Sequence, residues 1–189
     1  DLLSIATLGF RGEALPSSGA VSRLTITTRH RSEPHAWALT VDAGEKSEIR
    51  PAALTQGTTV EVRDLFYATP ARLKFLKSTR SEDLAIIDII KRLAMARPDI
   101  GFTLTLDGRR SLDLPAEPDL MDGRLPRLAR IMGRDFGDNA ALVDAGREGV
   151  TLSGYAGLPT YNRANAAMQF LFVNGRPVKD KLLVGAVRG

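Results

Sequence analysis

The sequence predicts an α+β fold, and three observations carry that expectation. Segments of alternating polarity separated by short polar turns occupy residues 21–28, 35–42 and 58–66. A long segment with helical spacing of apolar residues follows at 81–97, with a start signal before it and a proline after it. A stretch rich in proline and glycine, 114–126, then interrupts the chain, and helix-like and strand-like segments resume beyond it. The resulting order is helix, strands, long helix, hairpin, linker, helix, strands, helix, which is α+β on both sides of the linker.

The elements follow in order. "GEALPSSGA" (12–20) reads as a short helix. Proline is tolerated only in a first turn, so Pro16 makes this helix start near Gly12 or later. "VSRLTITT" alternates, with Leu24 and Ile26 on one face and Thr25 and Thr27 on the other. "HAWALTVD" places Trp37, Leu39 and Val41 on one face, and "TTVEVRDLF" is a further strand. Joined by the turns "RHRSEP" and "AGEKSE", these strands are expected to form an antiparallel meander. "PARLKFLKSTR" (70–80) is basic and reads as helix.

In "SEDLAIIDIIKRLAMARPD", Ser81 is a good N-cap, and Glu82 and Asp83 suit the positive end of the helix dipole. Leu84, Ile87, Ile90 and Ala94 repeat at helical spacing, Ile86, Ile89 and Leu93 widen the apolar face, and Pro98 stops the helix. This is expected to be a core helix packed on the sheet. "FTLTL", Asp107-Gly108 and "RRSLDL" form a hairpin signal. Pro115, Pro118, Gly123 and Pro126 mark a linker. "PRLARIMG" reads as a short helix between Pro126 and Gly133, "GVTLSGYAG" and "MQFLFVNGRPV" as strands, and "DKLLVGAVR" opens a last helix.

Composition narrows the function classes. The 189 residues, 43% hydrophobic, suffice for one large domain or two small ones. No cysteine is present, which excludes disulfides, thiolate metal sites and cysteine nucleophiles. The two histidines, His30 and His35, flank a turn and are expected on a surface loop. No signal peptide is visible, and no apolar run is long enough to cross a membrane as a helix. The chain starts with Asp1 and ends on an unfinished helical pattern, so a piece of a longer protein is expected. The net charge of +4 is local: residues 162–189 hold Arg163, Arg176, Lys179, Lys181 and Arg188 against Asp180 alone, and the rest is balanced. A local basic surface attracts polyanions such as nucleic acid, although a solvated charged face has the same composition.

Four stretches could carry chemistry. "LGFRGEAL" (8–15) sets two glycines around an arginine at a helix start, where backbone amides and the helix dipole can hold a phosphate. "QGTTVEV" puts threonine hydroxyls at a strand start, where they can meet a ligand or only the turn. "LFYATPARLKFLKS" mixes aromatic and basic residues, as a nucleic-acid surface or as core beside a solvated face. "FVNGRPVKDK" follows an Asn-Gly turn with three basic residues, a plausible backbone-phosphate surface. The "GEK" at 44–46 is not a phosphate loop, because it lacks the upstream glycine and joins two strands. No G-x-S-x-G motif or paired carboxylates stand out.

Taken together, "LGFRGEAL", "GTTVEVRDLFYATPARLKFLK" and "FVNGRPVKDKLL", in this order and spacing, resemble the N-terminal ATPase region of the MutL family of DNA mismatch repair proteins. That family belongs to the GHKL superfamily with gyrase B, heat-shock chaperone ATPases and histidine kinases, and "DLFYATPAR" points to MutL over those relatives. The resemblance covers nearly the whole chain. It implies that residues 1–118 are the back part of an ATP-binding α/β sandwich, and 119–189 the start of a second α+β domain like certain ribosomal proteins. It implies an ATP site near Gly9, Phe10, Arg11, Gly12 and Glu13, with Thr58 as a late nucleotide-site threonine. Arg176, Lys179 and Lys181 match a DNA-binding groove.

The resemblance further implies ATP and Mg2+ as cofactors and a slow ATPase used as a conformational switch. The partners it implies are double-stranded and single-stranded DNA, the mismatch-recognition protein MutS, a downstream repair endonuclease or helicase, and a second copy of the chain. A bacterial cytoplasmic, nucleoid-associated location goes with these, with no membrane contact. The family's catalytic glutamate, metal-binding asparagine and D-x-G-x-G motif are expected upstream of Asp1, so no catalytic or metal residue is assigned here, and the isolated piece is expected to be inactive. No lysine here is given the family's γ-phosphate role. Two positions depart from the pattern: Ala68 stands where many relatives carry asparagine, and Ser18 where an aliphatic residue is usual on a buried helix face. A non-enzymatic DNA-binding module and a topoisomerase-related ATPase remain as alternatives.

Overall fold

The computed structural model describes residue 9 and residues 12–117, 123–161 and 166–188. The chain packs as two compact units, Asp1–Ser78 and Thr79–Gly189.

In the first unit, helix α1 (Ala14–Gly19) holds Pro16 within its first turn, where the missing N–H costs no helical bond. Strands β1 (Arg23–Arg29), β2 (Ala36–Asp42), β3 (Glu45–Lys46), β4 (Arg50–Ala52) and β5 (Gly57–Arg63) form one sheet. The strands are not a simple meander. β1 lies between β2 and β5 and is antiparallel to both. The segment after β2 is not only a turn either. It returns as β3 and β4, both paired to β2. That occupies the outer edge of β2 and leaves the free edge of β1 for β5.

The alternation sorts the side chains as expected. Leu24 stands opposite Val41 and Val62, and Ile26 opposite Leu39 and Val60. α1 closes on part of this face. A Cβ on Gly19 would lie 2.9 Å from the Val41 side chain, so only glycine allows the approach that buries Leu24 and Val41. Ser18 is half-buried, and its carbonyl accepts the Ser22 hydroxyl. Trp37, Val60 and Val62, on the same face, remain exposed.

β5 runs into a loop with Asp64 and Phe66 in left-handed conformations. Its anchor is polar. The Phe66 N–H donates to the Val21 carbonyl at 2.8 Å, and Arg23 bonds Asp64 at 2.8 Å and lies 4.8 Å from the centre of the Tyr67 ring. The Tyr67 hydroxyl donates to Asp42, which pushes the phenol pKa up. Helix α2 (Pro70–Leu73) then covers only the start of the helical run expected over 70–80. Ser78 and Thr79 divide that run, since hydroxyl residues favour helix starts over interiors.

The second unit opens with α3 (Thr79–Ala96), which starts before Ser81, so Ser81 sits inside the first turn rather than capping it. The helix stops ahead of Pro98. Only its C-terminal end is core: Ala94 and Met95 are buried, while Leu84, Ile86 and Ile89 are exposed. The hairpin β6 (Phe102–Leu106) and β7 (Arg109–Leu114) turns at Asp107-Gly108, both with positive φ. That is the type I′ geometry favoured by this dipeptide. Helices α4 (Arg124–Met132) and α5 (Arg134–Asp138) meet at Gly133, with Pro126 in the first turn of α4. The hairpin β8 (Ala140–Arg147) and β9 (Val150–Gly157) follows, and its first strand was not expected from sequence. A single 3-10 turn at Ala166–Met168, strands β10 (Leu171–Val173) and β11 (Arg176–Val178), and helix α6 (Lys181–Arg188) complete the unit.

The division after Ser78 lies upstream of the linker expected near residue 118, and residues 118–122 are outside the described ones. Arg127 of α4 gives a physical reason for the packing. It is fully buried, and its Nη2 donates to the carbonyls of Pro98 (3.0 Å), Ile100 (2.7 Å) and Pro115 (2.9 Å). Burial lowers its pKa. Arg130 on the next turn bonds Glu117 at 2.6 Å. The end of α3 and the β6–β7 hairpin are thereby tied to α4.

Candidate functional site

The two groups of expected site residues lie in different units and are described separately. In the first unit, Gly9 is exposed, and Phe10 and Arg11 lie outside the described residues. Gly12 has φ +65°, and a Cβ there would meet nothing within 4 Å, so the turn before α1 is left-handed and open. Glu13 takes the N-cap position of α1 without a side-chain capping bond, and its carbonyl accepts the Ser17 N–H at 2.9 Å. Pro16 has no N–H, so the amides at the start of this helix are those of Ala14 and Leu15.

Thr58 is the second residue of β5, after Gly57 at φ +122°. It stands opposite Thr28 of β1, and the two hydroxyls are 2.7 Å apart. Thr28 Oγ1 also donates to the Gly57 carbonyl at 3.4 Å, so Thr58 gives its proton to Thr28 and keeps oxygen lone pairs for an outside donor. Sequence reasoning missed Thr28. Its signal was the "TITT" alternation, which puts Thr28 on the Leu24 and Ile26 face and opposite Thr58 once β5 pairs with β1. Trp37 faces Thr28 from β2, so Trp37, Thr28 and Thr58 make one row across the sheet. Among the described residues, neither Gly12 nor Glu13 is hydrogen-bonded to Thr58.

The Gly12 turn and the Thr28 and Thr58 hydroxyls are all exposed. Among the described residues, no group of three or more His, Asp or Glu stands together as a candidate metal site. His30 and His35 are exposed, with His30 Nδ1 2.8 Å from the Ser32 hydroxyl.

In the second unit, the basic residues follow the tight turn Asn174-Gly175, which joins β10 to β11. Arg176 is half-buried in β11, while Lys179 and Lys181 are exposed. Asp180, the one acid of that stretch, is a helix cap. Its Oδ1 accepts the N–H groups of Leu182 and Leu183 at 2.8 and 3.0 Å. Lys179 is already engaged: its Nζ is 2.7 Å from Oδ2 of Asp88 on α3. Arg92 Nε bonds the same oxygen at 3.0 Å and its guanidinium lies 4.8 Å from the centre of the Phe170 ring. The hydrogen bond from Arg92, with that from Lys179, holds the Asp88 carboxyl below its ordinary pKa. Arg163 is outside the described residues.

Comparison with known proteins places this geometry in context. The family model for "DNA mismatch repair protein, C-terminal domain" matches residues 128–189. The DNA mismatch repair protein MutL of Bradyrhizobium diazoefficiens is 62% identical over 188 residues, which is 100% of this chain and 31% of that protein. The MutL of Rhodospirillum rubrum is 60% identical over 190 residues, 100% of this chain and 30% of its own length. The chain therefore spans about a third of these relatives. Among solved structures, the Aquifex aeolicus MutL ATPase domain complexed with ADP matches with TM-score 0.76 and 30% identity, covering 93% of this chain and 66% of that one. A structure described as the N-terminal domain of a DNA repair protein matches with TM-score 0.75 and 26% identity, covering 96% of this chain and 59% of that one. Among the described residues, no helix is long and apolar enough to cross a membrane.

Proposed function

Because the chain belongs to the MutL family of DNA mismatch repair proteins, we propose that it is part of a nucleotide-operated mediator of mismatch repair. In this reading ATP binding orders the segment around Gly9–Glu13 and promotes pairing of two N-terminal regions, and slow hydrolysis resets them. The mediator relays mismatch recognition by MutS to a downstream endonuclease or helicase. Residues 1–118 serve the nucleotide, and residues 119–189 begin a domain that meets double-stranded and single-stranded DNA in the bacterial cytoplasm.

The roles of this chain's residues follow from their chemistry. Gly12 gives the backbone a left-handed turn with open space beside it, so the amides of Gly12, Glu13 and the α1 start can donate to phosphate oxygens. Arg11 adds positive charge. Thr58, oriented by Thr28, presents its hydroxyl oxygen to the ligand. ATP supplies the bond that is broken, with Mg2+ held outside this set of residues, and no step of hydrolysis is assigned to them. Arg176, Lys179 and Lys181 contact the DNA backbone, which positions the duplex without reading its sequence. The observation that supports this most is the ADP-bound relative, which matches nearly the whole chain in fold.

Gly12→Val in the full-length protein tests the nucleotide reading. Valine blocks the open side of the turn and strains a φ of +65°, at a cost of about 1–3 kcal/mol at a site that must stay in place. ATP affinity measured by calorimetry should fall by about tenfold or more, since 1.4 kcal/mol is a factor of ten. Wild-type affinity in this variant would remove the phosphate role of the opening segment.

A further inference from the structure

We infer that Asp88 is an internal stand-in for a DNA phosphate, which holds Lys179 on α3 and releases it to the backbone when DNA binds. The inference rests on the reading of Arg176, Lys179 and Lys181 as a DNA surface and adds a residue that tunes it.

The geometry makes the exchange possible. Lys179 lies on the link between β11 and α6, and its Nζ meets Asp88 Oδ2 at 2.7 Å, across 91 residues of sequence. Its side chain is 70% exposed, so the ammonium can turn from the carboxylate to an incoming anion without unpacking anything. Ion pairs this exposed are weak. The decisive feature is the second cation. Arg92, four residues along α3, bonds the same Oδ2 at 3.0 Å, and its side chain is only 13% exposed beneath the Phe170 ring contact. When Lys179 leaves, Asp88 keeps Arg92 and is not stranded without a partner. Lys179 exchanges one anionic oxygen for another, and Asp88 sets the threshold for that exchange. Duplexes must therefore compete with a resident carboxylate, which lowers affinity for DNA in general and makes engagement of Lys179 conditional on the neighbouring contacts of Arg176 and Lys181.

The test measures binding of a labelled mixed-sequence duplex by the full-length protein across a range of salt concentrations. Asp88→Asn keeps the shape and removes the competing charge. Affinity should rise by about five- to tenfold near 0.1 M salt, because the duplex no longer competes with the carboxylate, while the slope of log K against log salt stays at the wild-type value, since Lys179 makes one phosphate contact in both complexes. Lys179→Ala should cost about five- to tenfold in the Asp88→Asn background and clearly less in the wild-type background, where the phosphate contact is offset by the ion pair broken to make it. Asp107→Asn removes the same charge from the β6–β7 turn, where asparagine tolerates the left-handed conformation, and should leave affinity at the wild-type level.

Arg176→Glu and Lys181→Glu test the underlying surface and should each weaken binding whatever the sequence. If they do, and Asp88→Asn binds no better than Asp107→Asn, the exchange is overturned while the surface stands. Binding indifferent to Arg176→Glu and Lys181→Glu would remove the surface reading and the exchange with it.

Discussion

Arg127 carries its charge into the second unit without a carboxylate on its guanidinium. Backbone carbonyls of Pro98, Ile100, Leu114 and Pro115 take that place. A planar fork reaches several acceptors at once, which an ammonium cannot. Removing it strands buried carbonyls, each costing about 1–3 kcal/mol. Arg127→Met should therefore lower the unfolding free energy by about 3 kcal/mol or more, and Arg127→Lys should recover less than half of that, measured by chemical denaturation. A lysine variant as stable as wild type would show that charge alone suffices. Nothing in "PRLARIMG" announced this role, because an arginine in a short helix reads as solvated. Thr28 and Asp88 were hidden for the same reason: their partners are 30 and 91 residues away. Thr58 and the glycine turn were legible only through the combined motifs, since each alone matches ordinary turn chemistry.

At the scale of elements, what could be read depended on how much local signal each turn carried. Asp107-Gly108 is a strong turn dipeptide and its hairpin was legible; Asn174-Gly175 was legible as a turn, but "MQFLFVNGRPV" around it read as one strand, where the structure has the β10–β11 hairpin. Glu148-Gly149 adopts the same pair of positive φ values with a poor first residue, and β8 before it is alanine-rich, so that strand was missed. The order of β5 against β1 was not legible either, because it depends on β3 and β4 filling the other edge. The loop after β5 is held by side chains rather than by a regular element. Arg23, Asp42, Asp64 and Tyr67 form its polar latch, at residues the "DLFYATPAR" motif only partly contains. Tyr67→Phe removes the hydroxyl bond to Asp42 and leaves the ring against Arg23. The Phe66 amide, bonded to Val21, should then exchange with deuterium faster, on the order of tenfold, while β1 amides are unchanged. Unaltered exchange at Phe66 would mean that the backbone bond alone fixes the loop.

Across the whole molecule, the two units divide the proposed work: the glycine turn and hydroxyl row lie in one, the basic surface in the other. In the first, Trp37, Val60 and Val62 are exposed on the face that carries Thr58. In the proposed function, nucleotide is held by the opening segment and the start of β5. Hydrogen–deuterium exchange of the full-length protein, with and without ATP, tests it most directly. ATP should slow exchange in peptides covering residues 8–15 and 57–63 and leave the β8–β9 hairpin, residues 140–157, unchanged. Equal exchange in the first two segments with saturating ATP bound would contradict it.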